Sequence, residues 1–397
     1  MTRMHGPRWG AAPSLLTLAA LVAACGGTTT HPTPTRSGTS TAAPTASASP
    51  VSTASTSATA APATPAPTPI AGFGAASVTF VSSQDAWVLG TVGGSLALAR
   101  TQDGGTSWTS VTPPPIGFYT GSATSGVSGV RFADQQDGWA YGSQLWATHD
   151  GGATWVQVTL PGLGSGGGMT PIQGLETAAG EVYAVYFGTS GFTIASSPVG
   201  TNSWVTSPTG IEFGAGPIPG AQLVIQGSAG WVLENDRTVV GGARLQSGAW
   251  SSWTPACSTA GGPAALAAAS TQDLVAICGV GAYTSGSPAE DAFTSTNGGG
   301  SFTQLTTALP STCQSSATLA SSSTSVAAAG CGGDIVATFN GGGSWSTVYT
   351  GGTGTAIAYV GFGTTTQGVA IATSSTSSVG TLLMTTDGGR TWAAVTI

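Results

Sequence analysis

From about residue 75 onward the chain is written in short runs of Val, Ala, Ile, Thr and Trp, broken by corners of Gly, Ser, Asn and Asp. Such runs, some alternating apolar with polar and some apolar throughout, are the pattern of half-buried and fully buried strands, and no helical period competes. The first set predicts strands at 77–81, 86–90, 96–101 and 108–111, and a more compact second set occupies 129–160. A third runs through Gly174, 182–187, 192–196 and Trp204; a fourth passes through Leu223, 231–233, 238–240 and Trp253. Segments 274–277, 325–329 and 368–372 read as the second strands of three further sets.

One corner recurs. Thr148-His149-Asp150-Gly151-Gly152-Ala153-Thr154-Trp155 is echoed by Thr101-Gln102-Asp103-Gly104-Gly105-Thr106-Ser107-Trp108 and by Thr385-Thr386-Asp387-Gly388-Gly389-Arg390-Thr391-Trp392. Near copies carry Asn297 with Phe302 and Asn340 with Trp345. An Asp or Asn side chain accepts hydrogen bonds from backbone N–H groups ahead of it, and glycine tolerates the positive φ of a tight corner. The closing aromatics Trp108, Trp155, Trp204, Trp253, Phe302, Trp345 and Trp392 are separated by 47, 49, 49, 49, 43 and 47 residues. A strand-rich repeat of that period predicts propeller blades. The copies ending at Trp204 and Trp253 have lost the Asp but keep the spacing, so the expectation is an all-β, seven-bladed β-propeller of four-stranded antiparallel blades over 74–397.

The corner resembles the Asp-box, or BNR, repeat of sialidases and related propellers. Phe80-Val81-Ser82-Ser83-Gln84-Asp85-Ala86-Trp87 and Phe132-Ala133-Asp134-Gln135-Gln136-Asp137-Gly138-Trp139 pair a strand-borne Phe with Asp-x-Trp. That combination is similar to the photosystem II assembly and stability factor family of propellers. The matched residues belong to the scaffold, so the resemblance speaks more to fold than to function. It implies help in assembling or stabilising a membrane protein complex, whose client need not be a photosystem.

The N-terminus reads as a processing signal. Arg3 and Arg8 precede an apolar run over 11–24, short for a membrane span, which ends Val22-Ala23-Ala24-Cys25. Small residues before a Cys resemble a bacterial lipobox, so 1–24 is expected to be a lipoprotein signal peptide and Cys25 the lipidated anchor; an ordinary signal peptide is the alternative. Residues 25–73 are almost wholly Thr, Ser, Ala and Pro, too poor in large apolar side chains to fold, and are expected to form a disordered linker. The chain is then extracytoplasmic and lipid-anchored to the bacterial membrane.

Exported cysteines are free to pair. Cys257 and Cys313 precede first strands, whereas Cys278 and Cys331 end second strands; first and second strands are antiparallel neighbours, which favours Cys257–Cys278 and Cys313–Cys331 among three connectivities. A four-thiolate zinc site is the alternative, although the spacings match no zinc knuckle.

Charge changes the list of partners. Charged residues make up 6% of the chain, Lys is absent and the net charge is -7, so no basic surface exists to track phosphates and nucleic acid is not an expected ligand. A surface with so few titrating groups suits an acidic exterior.

Catalytic constellations mostly fail. A sialidase needs three arginines on the substrate carboxylate, a Tyr/Glu nucleophile pair and an acid/base Asp; the folded part offers Arg100, Arg131, Arg237, Arg244 and Arg390 with no Arg-Ile-Pro motif. Two-carboxylate glycoside hydrolysis would have to draw on Glu212, Glu234, Asp236, Glu290, Asp291 and Asp334, read as loop residues. His149 is the sole histidine beyond the tether, too few for a His-based metal site, and the Asp-Gly-Gly corners lack the further ligands calcium requires. No metal or cofactor is expected.

What remains is a face. The corners place short loops on one side of the disc and leave longer segments, 113–126, 161–171, 208–220 and 279–291, on the other. Phe118, Tyr119, Phe213 and Tyr283 are expected there as exposed contact anchors, with Asp236 and Arg237 as a polar pair. The expected function is a non-catalytic, monomeric binding or assembly module for a membrane or cell-surface complex. A glycan-binding or glycoside-hydrolysing, sialidase-like propeller is the alternative.

Overall fold

Turn chemistry sets the strand boundaries. The computed structural model describes residues 68–120, 125–164, 171–188, 191–207, 220–236, 238–257, 264–280, 289–311, 313, 318–374 and 376–397. All of them belong to the unit Thr64–Ile397. Among these residues every regular element is a strand, and the 28 strands follow one another as antiparallel meanders of four.

The first meander is β1 to β4 (Phe73–Phe80, Ala86–Val92, Ser95–Thr101, Thr109–Val111) and the second β5 to β8 (Val127–Phe132, Gly138–Gly142, Leu145–Thr148, Val156–Val158). The third is β9 to β12 (Ile172–Ala178, Glu181–Phe187, Phe192–Pro198, Val205–Ser207) and the fourth β13 to β16 (Gly220–Gln226, Ala229–Asp236, Thr238–Gln246, Ala249–Ser252). The fifth is β17 to β20 (Ala264–Ala268, Leu274–Val280, Ala289–Ser295, Thr303–Gln304) and the sixth β21 to β24 (Thr318–Ser321, Ala327–Cys331, Asp334–Thr338, Ser346–Tyr349). The last is β25 to β28 (Thr355–Phe362, Gly368–Ser374, Gly380–Thr385, Ala393–Val395). Five meanders are separate four-stranded sheets; the first and last merge into an eight-stranded sheet through a single pair, Ala75 opposite Gly380.

The recurrent corner joins third strand to fourth. Thr148 Oγ1 donates to Asp150 Oδ1 (2.8 Å) and accepts from Gly152 N (2.9 Å), while Asp150 takes the N–H and hydroxyl of Thr154 (2.8 and 2.6 Å). Gly151 and Gly152 sit at φ 73 and 97, which a side chain would resist. Where Asn replaces Asp the backbone bond survives and the side-chain bond reverses: Asn297 Oδ1 accepts from Ser301 N (2.9 Å), and its Nδ2 donates to Ser301 Oγ (2.9 Å). Each corner also grips the turn between first and second strands of its own meander. Gly104, Gly151, Gly298, Gly341 and Gly388 N donate to the carbonyls of Gln84, Gln136, Gln272, Ser325 and Thr366 at 2.8 to 2.9 Å.

First strands of successive meanders lie side by side, β1 on β5, β5 on β9, and onward to β21 on β25, while β1 also packs on β26 and β27. The core is accordingly a series of clusters, each between two consecutive meanders, and one of them joins β1 to β3 with β25 to β28. Ile70, ahead of β1, packs in that closing cluster and its N–H donates to the Ile397 carbonyl (2.7 Å). The inner edge of every first strand lacks a full ladder partner, so its backbone groups need other partners. Side chains of adjacent first strands supply them. Ser77 Oγ accepts from Val130 N (3.0 Å), Gln222 closes both Leu266 groups (2.9 Å each), and Thr318 Oγ1 accepts from Val360 N (2.9 Å).

The fourth meander departs from the reading of Trp253 as the start of its outer strand. A tight turn at Ser247 and Gly248 closes β15 onto β16 instead, so Trp253 follows the strand, and its indole donates to Gly299 O of the next corner (2.8 Å). Both disulfides join a first-strand approach to a second strand, Cys257 to Cys278 and Cys313 to Cys331, with Cα separations of 5.4 and 4.5 Å.

Two outcomes test this account. Each bridge closes a short loop, so replacing Cys257 and Cys278 together by Ser lowers unfolding free energy by about 3 kcal/mol in a denaturant titration. The corners set the acid limit. Hydrogen bonds from the Thr154 side chain and backbone hold Asp150 at about 2; at Asp387 burial opposes, but Thr391 wins and the carboxyl also stays at about 2. A carboxyl depressed on folding contributes fully above its unfolded value and loses that contribution as pH falls toward the folded one. Melting temperature therefore stays level from neutral pH to about pH 4 and falls between about 4 and 2. Asp150→Asn, which copies the corners at Asn297 and Asn340, makes that fall shallower. A decline that begins already near pH 6 would contradict the account.

Candidate functional site

The expected contact anchors divide. Phe118 and Tyr119 are buried, each 8% exposed, contrary to their reading as exposed anchors. The segment carrying them folds back on β5: Phe118 bridges Val127, and Tyr119 N donates to the Val127 carbonyl (2.9 Å). Phe213, Arg237 and Tyr283 lie outside the described residues, as does Cys25, and Asp236 is the last residue of β14. The carboxylates read as loop residues are strand residues wherever described. Glu234 and Asp236 lie on β14, Glu290 and Asp291 on β19, and Asp334 on β23; Glu234 and Glu290 are buried. Glu212 is outside the described residues.

The described arginines do not converge. Arg100 lies over the Trp87 ring (4.5 Å) and pairs with Asp85 (3.2 Å), which also accepts from Gln135 of the next meander (2.8 Å). Burial would raise the Asp85 carboxyl, but Gln135, Arg100 and Ser82 outweigh it and hold it below its ordinary value. Arg244 donates to Gly298 O (3.0 Å), and Arg390 covers Phe339 (4.3 Å). His149 is exposed on its corner, where Nδ1 meets Asp137 (2.5 Å) and Nε2 meets the Asn202 amide (3.2 Å), linking the second and third meanders.

Among the described residues, Arg131 forms the one charged cluster on the inner strands. It follows the stitching pattern: from β5 its Nε donates to the Leu175 carbonyl of β9 (3.1 Å). A guanidinium in that role needs a counterion, and Glu176, the next residue of β9, bonds its Nη2. The Tyr359 hydroxyl of β25 and the Tyr141 hydroxyl of β6 lie near enough to interact with the Arg131 charge. Because β1 lies between β25 and β5, the Tyr359 contact crosses the space inside the ring of first strands. Gly129 makes room for the Tyr141 ring, and Gly361 for the Tyr359 hydroxyl; a Cβ at either would sit 2.3 or 2.4 Å away. Burial would lower the Arg131 pKa, but Glu176 outweighs it and holds the guanidinium charged. Burial likewise raises Glu176 against the pull of Arg131, and pushes Tyr141 up to about 12. Glu176 was not among the residues singled out from sequence. Its position on a first strand beside another first strand's arginine becomes visible only once those strands are set side by side.

The chain is similar to YCF48 bound to a D1 peptide, at 16% identity and TM-score 0.54 over 80% of this chain and 94% of that one. It is similar also to YCF48 from Cyanidioschyzon merolae, at 15% identity and TM-score 0.53 over 80% and 96%. A prolyl endopeptidase structure matches at 12% identity and TM-score 0.52, over 81% of this chain but 50% of that one. No protein-family model and no curated protein matches the sequence. The fold is a β-propeller, and the YCF48 likeness agrees with the resemblance carried by the Phe80 to Trp87 and Phe132 to Trp139 segments.

The axial pair makes a measurable prediction. Glu176→Gln strands the Arg131 charge and destabilises the domain by about 2 kcal/mol, below the figure for fully buried pairs because both side chains keep some exposure. Adding Arg131→Met restores most of the loss. A double-mutant cycle by denaturant titration reads the coupling.

Proposed function

We propose that the chain is a seven-bladed propeller, tethered outside the cytoplasm through Cys25, that binds a segment of a membrane protein and assists its assembly. Counting Ala75 and Gly380 as the seam between the first and last blades turns 28 strands into seven blades of four. The observation that carries the functional reading is the likeness to YCF48, whose solved form holds a D1 peptide, over most of both chains.

A binding role also suits the chemistry of the described side chains. The carboxylates read as candidate acids lie on strands wherever described, and each described arginine has a partner of its own. Neither arrangement offers the paired acids or the arginine clamp that glycoside hydrolysis of the sialidase type requires. The partner is then met by longer loops on the side away from the corners, where Phe213, Asp236, Arg237 and Tyr283 are the proposed contacts.

The experiment is affinity capture with the full-length, membrane-tethered protein, set against detergent-solubilised membranes and against cell-wall polysaccharide in parallel. The expected result is recovery of one membrane complex, reduced at least ten-fold when Phe213 and Tyr283 are both changed to Ala, a loss of about 1.4 kcal/mol or more. Retention on polysaccharide alone, or turnover of any member of a glycosidase substrate panel, would replace this reading with the glycan-directed one.

A further inference from the structure

Three side chains fill the wedge between the first and second meanders on the corner side. Trp87 of β2 stacks on Phe132 of β5 with centroids 3.9 Å apart and planes 6° apart, and Trp155 meets Phe132 edge-on at 6.4 Å. The Trp87 indole N–H donates to the carbonyl of Gly151, the first glycine of the next corner (3.2 Å). The same bond joins the fourth and fifth meanders, from Trp231 to Gly298 (3.1 Å).

Strand register identifies the equivalent positions elsewhere. Trp87 follows the residue paired with the last residue of its first strand, as does Val275; Phe132 is the last residue of a first strand, as is Ser321. Between the fifth and sixth meanders the tryptophan is thus Val275 and the phenylalanine is Ser321, while the third member persists as Trp345. A cavity of about 160 Å³ opens there, lined by Val275, Ser321, Leu305, Gly341 and Trp345 among others. Gly341 is the first glycine of its corner, the counterpart of Gly151 and Gly298, and among the described residues no hydrogen bond to its carbonyl is formed.

We propose that this cavity is a binding site for an indole ring supplied from outside the domain. Apolar protein cavities of about 150 Å³ admit a single aromatic ring. Here the space is the one that an indole of the chain itself fills in two other wedges, Trp345 keeps the closing aromatic, and the Gly341 carbonyl stands where the acceptor of the indole N–H stands there. The site lies on the corner side, so it stands apart from the loop contacts proposed above.

The test uses the full-length protein and 5-fluoroindole, followed by fluorine NMR, with thermal melting in parallel. Saturable binding at millimolar ligand or below, with a raised melting temperature, is expected. 1-Methylindole, which lacks the donor, should bind about five-fold more weakly, the worth of one neutral hydrogen bond. Val275→Trp places an indole of the chain in the space, so the folded variant should abolish ligand binding, whereas Ser321→Phe restores the stacking partner that Phe132 gives Trp87 and should tighten it. Should one fail to fold, the other decides. A capped Gly-Trp-Gly peptide separates the sources: competition assigns the site to a partner's tryptophan, and its absence assigns it to a free indole compound. No saturable binding of 5-fluoroindole, or binding unchanged in either folded variant, would overturn the proposal.

Discussion

The structure depends on one small hydrogen-bonded corner. Its Thr hydroxyl, its Asp or Asn side chain and two glycines at positive φ close the hairpin locally. Its first glycine then ties it outward: the N–H holds the neighbouring turn of the same meander, and in two wedges the carbonyl takes the indole N–H of the preceding meander. A local turn of this kind forms without waiting for distant contacts, and it presents ready-made groups for the next meander to dock on. That suits a repeat fold, in which each unit gains its stability from a neighbour.

The same logic explains what was legible in the sequence. Corners announce themselves because the hydrogen bonds that close the hairpin fall within five residues, as between Asp150 and Thr154, and the meander order follows from their spacing. The cysteine pairing was legible because it needed only strand adjacency. The misreadings come from contacts without a local signature. The turn at Ser247 and Gly248 shifts the outer strand ahead of Trp253, a register change that Trp spacing cannot reveal. Phe118 and Tyr119 belong to a polar-looking loop, yet backbone pairing with Val127 draws them inward. Arg131 and Glu176 alternate with apolar residues as any solvent-facing pair would; an axis lined by first strands has the same periodicity as a wet surface.

Scarcity of charge gives the axial pair its meaning. Elsewhere on the inner edge Ser77, Gln222 and Thr318 close backbone groups with neutral side chains, at no cost in buried charge. At one step an arginine does this work, and it brings Glu176, Tyr141 and Tyr359 with it. A neutral stitch would be cheaper for stability alone, since desolvating an ion pair seldom improves on an apolar or neutral replacement. The cluster therefore marks a place where the fold carries polar groups beyond what closure of the ring demands.

The two disulfides stand in unlike surroundings. Cys257–Cys278 lies among Trp231, Trp253 and Phe302, whereas Cys313–Cys331 lies in the cluster between the fifth and sixth meanders, where Val275 and Ser321 stand in place of the Trp87 and Phe132 of the first wedge. Removing a large aromatic from a packed core costs about 3–5 kcal/mol. A disulfide closing a loop of this length returns about 3 kcal/mol, by restricting the unfolded chain. The two are of one size, so the covalent bridge offsets the thin packing without refilling the wedge. An interface stabilised in that way can keep a cavity that one stabilised by packing cannot.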